Sequence, residues 1–209
     1  MSQSHHPSEE TLLAHAAGSL DAAFRVVVAT HLATCAACRE TVLQAERVGG
    51  AVMAGLEDAP MAEGALARVM ARLDEPERVA PAVAAPAGLP AALAGYEVGK
   101  WRKLVPGIAI APVSGTARGR AGLHLLRLEP GVRLAGHGHG GMEMTVVLEG
   151  AIEDRSGRYD AGDVAENAED AHHAPVAVGE RPCVCLVALE GKLRFHHWLV
   201  RMLQPLFGV

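Results

Sequence analysis

Residues 131–150 read GVRLAGHGHGGMEMTVVLEG. His137 and His139 stand two apart, so on an extended chain they point to the same side of a strand. Glu143 follows a glycine-rich turn and reaches the same centre from the next part of the chain, while Gly131 and Gly150 close the hairpins at either end. Working outward, the flanking sequence is built from short apolar runs broken by glycine: VPGIAIAPV from 105, GLHLLRLEPG from 122, AIEDRSGRYDAGD from 151 and PCVCLVALEG from 182. Several short strands with regular turn signals predict a β-sandwich or barrel. The end of the chain, LRFHHWLVRMLQPLF from 193, reads as an amphipathic or buried segment.

Upstream the period changes. From about Ser8 to Asp74 the chain reads as helical. Ser8 precedes EETLLAHAAG, and Gly18 is a natural stop; Ser19 can cap a second helix through DAAFRVVVATHL, and Thr34 a third from about Ala36 towards Leu56. A fourth stretch, EGALARVMARLD, spaces Leu66, Val69, Met70 and Leu73 at helical intervals. Residues 75–95 are different, with Pro76, Pro81, Pro86 and Pro90 among Ala and Gly, and predict a linker. The expected class is therefore α+β in two domains: a helical bundle over 1–74, a Pro/Ala-rich linker over 75–95, and a β-barrel or jelly roll over 96–209.

Both halves carry metal-ligand chemistry. His31, Cys35 and Cys38 form H-x-x-x-C-x-x-C at a helix–turn–helix corner. Two thiolates and an imidazole suit Zn(II), which takes four N/S ligands in a tetrahedron. A closed site needs a fourth donor, for which spacing offers His5, His6 or His15. In the second half, YDAGDVAENAEDAHHAPV carries adjacent His172 and His173, which alternate faces so that only one points inward. With His137, His139 and Glu143 this makes a mixed N/O set suited to Zn or another divalent transition metal such as Fe, Mn or Ni. Cys183 and Cys185 share a face of an apolar strand and read first as core. His196 and His197 beside Trp198 read as packing or surface, and Met53, Met61 and Met70 as core or partner-facing residues.

Composition narrows the function. The formal charge is −5 and the pI about 6.1, which argues against direct nucleic-acid binding but not against covering the basic surface of a DNA-binding protein. No apolar run approaches a membrane span, and MSQSHHPSEE has neither a cationic nor an apolar leader region. Close Cys pairs without an export signal suggest metal or redox chemistry, and the expected compartment is the cytoplasm.

The stretch from His6 through AAGSL and VVATHLATCAAC resembles zinc-binding anti-sigma domains, and that resemblance implies His6, His31, Cys35 and Cys38 as ligands. The spacing Gly131-x5-His137-x-His139-x3-Glu143-x6-Gly150 resembles the first cupin motif; its second-motif counterpart implies His173, in the context His173-Ala174-Pro175. The order zinc domain, linker, cupin resembles the ChrR family of anti-sigma factors over nearly the whole chain. It implies a cytoplasmic regulator, not an enzyme, that holds an extracytoplasmic-function (ECF) sigma factor through its zinc domain. The cupin would be needed for release in response to singlet oxygen. The alternative is a cupin metalloenzyme, a dioxygenase or isomerase, with a fused helical domain.

Overall fold

Four helices come first among the described residues. The computed structural model describes residues 3–73, 75, 84–115, 119–168, 172–191 and 193–195, with only the backbone at 137–139 and 193–195. Helix α1 (Glu9–Ala16) begins where the sequence predicts, with Ser8 as N-cap accepting from the Thr11 N–H and Glu9 and Glu10 at the positive end. Helix α2 (Ala22–Leu32) is capped by Asp21 rather than Ser19; the Asp21 carboxylate accepts from the Ala23 N–H, and the Ser19 hydroxyl donates back to the Ala14 carbonyl. The chain leaves α1 through Gly18 at φ +69°, so Ser19 still belongs to the turn. Helix α3 (Ala36–Ala54) has Cys35 as N-cap with no side-chain cap bond, and the Thr34 hydroxyl donates to the His31 carbonyl instead. Helix α4 (Ala65–Leu73) buries none of its residues.

A 3-10 turn (Ala91–Leu93) leads into the strands: β1 (Glu97–Val98), β2 (Arg102–Val105), β3 (Ile108–Ser114), β4 (Ala121–Leu128), β5 (His137–His139), β6 (Glu143–Glu149), β7 (Ala151–Asp154), β8 (Gly157–Asp160), β9 (Val164–Asn167), β10 (Val176–Val178), β11 (Cys183–Glu190) and β12 (Leu193–Phe195). The main sheet runs β1-β3-β4-β11-β6-β9 with β2 on β3; β10-β7-β8 form a second sheet, and β12 pairs with β5. Their pairings are antiparallel. Helices followed by antiparallel sheets are the α+β class that the sequence predicts.

Strand alternation sorts the core into two layers. Leu123 and Leu125 of β4, Met144 and Val146 of β6, and Leu186 and Ala188 of β11 face α2, where Phe24, Val27 and Val28 meet them. The intervening residues turn to the other face, with Leu128, Val147, Cys183 and Cys185 packing against Ile152 and Tyr159 of the second sheet. Phe24, Val27 and Val28 are at most 3% exposed. Burial of that kind contributes about 1.5–3 kcal/mol per side chain, so α2 is anchored to the sheet rather than to the other helices.

The proline-rich stretch read as a linker ends inside this same core. Leu93 has no exposure and lies against α2, while Ala85, Leu89 and Ala92 are partly buried beside it. Outside, α3 leaves Val48, Val52 and Met53 exposed, α4 leaves Leu66, Val69, Met70 and Leu73, and Leu56 between them is exposed too. No helix among the described residues is long and apolar enough to cross a membrane.

Candidate metal centres

The corner between α2 and α3 gathers four donors. One atom each from His6, His31, Cys35 and Cys38 lies within 4.8 Å of the others, a group that could hold a metal ion. His6 Nδ1 stands 3.4 Å from both Cys sulfurs and from His31 Nε2, and His31 Nε2 stands 3.3 Å from Cys38 Sγ. His5 goes elsewhere: its ring lies over Tyr159, with centroids 4.2 Å apart. His6 precedes Pro7, which biases it to an extended backbone where consecutive side chains alternate, so seating His5 on the sheet turns His6 to the cysteines. His15, the third candidate, is outside the group, on the α1 side facing Arg25 and Glu46.

Electrostatics suit a cation at this corner. Burial and then the adjacent Cys35 thiol push the Cys38 thiol up to about 12, so two thiolates coexist here only against a compensating positive charge. Burial lowers His31 and keeps it neutral, as a ligand must be, although the Gly162 carbonyl and Asp163 act in the opposite sense. His31 Nδ1–H donates to the Gly162 carbonyl at 2.6 Å, which leaves the Nε2 lone pair for the centre. Gly162, on the β8–β9 turn, is part of the sheet region and not of the helices.

The second constellation lies on the inner face of the sheet. His173 Nε2 is 3.4 Å from Glu143 Oε1 on β6, and its Nδ1 is 3.5 Å from Asp154 Oδ2 on β7. His172, by contrast, is exposed. Asn167 Nδ2 donates to Glu143 Oε1 at 3.5 Å from the adjoining strand. The backbone of β5 carries His137 and His139; their side chains lie outside the described residues. Behind Glu143 and His173 opens a cavity of about 210 Å³ with aliphatic walls that include Ile110, Leu126 and Val187. His124 also lines it, its imidazole held neutral by burial.

Several of these residues escaped the sequence reading. Asp154 and Asn167 face Glu143 and His173 from strands that nothing in a one-dimensional pattern brings there. His124 left one signal, a polar residue at an inward position of LHLLRL. Asp163 and Glu166, which hold the N-terminal segment, left none.

Residues 91–192 match the family model described as the ChrR cupin-like domain. Over 213 aligned residues, covering 98% of each chain, the protein is 41% identical to the anti-sigma-E factor ChrR of Cereibacter sphaeroides. The solved complex of Rhodobacter sphaeroides SigE with the anti-sigma ChrR contains a chain that superposes with a TM-score of 0.79 at 38% identity, over 90% of this chain and 100% of that one. The match to the Cereibacter protein spans nearly the whole chain, helical region and sheets alike, and the chain belongs to the ChrR family of anti-sigma factors.

Proposed function

We propose that this protein is a cytoplasmic anti-sigma factor that binds an ECF-type sigma factor through its N-terminal helices. The observation that carries the reading is the end-to-end similarity to a protein named as such, over a helical region whose apolar residues are left uncovered. Leu66, Val69, Met70 and Leu73 line α4 at helical spacing, and Val48 and Val52 of α3 and Leu56 just beyond its end are exposed as well. Exposed apolar surface of this extent marks a partner site. The net charge of −5 suits a partner with a basic, DNA-binding surface.

Zinc is the ion this corner suits. Zn–S bonds of about 2.3 Å and Zn–N bonds of about 2.05 Å in a tetrahedron imply N···S edges of about 3.5 Å and an N···N edge of about 3.3 Å. The observed 3.3–3.4 Å separations among His6, His31, Cys35 and Cys38 are close to those edges. Four protein donors leave no open position, so the centre is structural and shapes the partner-binding surface.

The second centre, with His137, His139, Glu143 and His173 as ligands, would hold zinc or another divalent transition metal. It is the signalling site: singlet oxygen attacks imidazole and sulfur side chains, and this region collects both. Damage there would release the sigma factor. A small-molecule enzyme reading draws on the cavity behind Glu143 and His173, but the full-length similarity is to a regulator. Co-expression with candidate ECF sigma factors of the same organism tests the proposal. A stoichiometric complex that requires His31, Cys35 and Cys38 is expected; a chain that captures none of them contradicts it.

A further inference from the structure

His31, Cys35 and Cys38 sit at the α2–α3 corner and His6 just before α1, but what holds them is sheet. Asp163, 2% exposed at the start of β9, accepts from the Ser4 and His5 N–H groups at 2.8 and 3.2 Å and from the Ser4 hydroxyl at 3.2 Å. The Val164 N–H donates to the His5 carbonyl at 3.1 Å, so the segment before His6 lies along the β9 edge. Two residues on, Glu166 accepts from the Ser8 N–H at 2.9 Å, the Ser8 hydroxyl at 3.0 Å and the Thr11 hydroxyl at 2.8 Å. It completes the cap of α1 from another part of the molecule. The preceding Gly162 carbonyl is the partner of His31, and a side chain there would meet Gln3 Nε2 at 2.8 Å.

Strand β9 also reaches the second centre. Its residues alternate: Val164 and Glu166 turn towards the helices, while Ala165 and Asn167 line the inner face, where Asn167 contacts and pairs with Glu143. A four-residue strand thus touches the ligand segment of one centre with one face and a ligand of the other with its opposite face.

We infer that the β8–β9 corner and strand β9 are the outer shell and seat of the N-terminal metal centre, so that its grip on metal is set by the sheet and linked to occupancy of the Glu143–His173 centre. The element with two states is the 3–11 segment, seated on Asp163 and Glu166 or lifted from them. Whatever shifts β9 alters the retention of His6, and by linkage the coupling acts in both directions. As a route for sigma release this rests on the function proposed above; as a property of the two metals it does not.

Cobalt(II) loaded into the full chain gives the test. Thiolate-to-cobalt charge-transfer absorption reports the Cys35–Cys38 centre, because a centre of imidazoles and a carboxylate lacks it. Chelator should strip that signal about 10- to 100-fold faster in Asp163→Ala and Glu166→Ala, the usual scale for lost outer-shell partners. Glu166→Gln, which keeps an accepting oxygen, should recover most of the loss. Removing the second centre with His173→Ala should speed cobalt loss in the parent chain but add nothing in the Glu166→Ala background. Rates within about twofold of the parent for both single variants, or fully additive effects in the double variant, would overturn the inference. Should Asp163→Ala fail to fold, Glu166→Ala and Thr11→Val carry the same comparison. No sigma factor is present in this assay, so its outcome is separate from that of sigma binding.

Discussion

Removing the metal from the helical corner should unfold part of the bundle and leave the rest standing. Consider Cys38→Ser, which deletes one thiolate of the donor group. Helix α2 buries Phe24, Val26, Val27 and Val28 against the sheet and the Leu93 turn, worth about 6–12 kcal/mol at about 1.5–3 kcal/mol per side chain. Helices α1 and α3 lack such an anchor. Their buried residues are Thr11 and Leu12 in one and Cys38 and Val42 in the other, so the 8- and 19-residue helices draw little from apolar burial. Leu12 and Val42 together supply about 3–6 kcal/mol, half of what the four α2 side chains supply. A structural zinc centre supplies on the order of 10 kcal/mol, more than that burial, so α1 and α3 depend on it more than α2 does. Amide hydrogen exchange read by mass spectrometry should therefore show 9–16 and 36–54 losing protection in Cys38→Ser, while 22–32 and the main sheet keep theirs. Loss of protection in α2 together with α3, or an α3 that stays protected without metal, would refute the reasoning.

Leu66→Asp combined with Met70→Asp should leave the melting temperature and metal content unchanged, since α4 buries nothing, but should abolish sigma-factor capture in a pull-down. Gly150→Ala should cost about 1–3 kcal/mol in denaturant unfolding, because Gly150 sits at φ +72° and a Cβ there would meet the Pro182 carbonyl oxygen at 2.7 Å. His124 supplies a pH prediction. Burial lowers its pKa from 6.5, so above pH 6.5 the ring is neutral in both states and the stability it allows is fully present. As the pH falls below 6.5 the unfolded chain takes up a proton first, and stability is lost down through the folded-state value. His124→Leu should lessen that decline relative to the parent in melts between pH 7 and pH 5, an interval of about two units around the ordinary imidazole value, whereas parallel curves would exclude His124 as its source.

What the sequence revealed and what it hid divide by range. The α1 start was legible because Ser8 acts on Thr11, three residues away, and the corner of His31, Cys35 and Cys38 because all three lie on adjoining turns. Gly150 was legible as a hairpin glycine, although its reason includes the close Pro182 backbone that only the fold supplies. The cap of α2 was misread by two residues because Ser19 and Asp21 are both good caps and the turn after Gly18 chose between them. Spacing left His5 and His6 equivalent; Tyr159, against the His5 ring, and Asp163, which accepts from the His5 N–H, lie far along the chain and separate them in space. Likewise 75–95 looks like linker from its prolines; 76–83 lie outside the described residues, and near its end Leu93 has a place in the core that α2 and the sheet create.

Transcription by RNA polymerase carrying the cognate ECF sigma factor tests the central claim most directly. The chain, added to the sigma factor in equimolar amount before the polymerase, should block transcription from a sigma-dependent promoter, and the Leu66→Asp/Met70→Asp chain should not. Undiminished transcription in the presence of the metal-loaded parent chain, across the ECF sigma factors of its organism, would contradict the account.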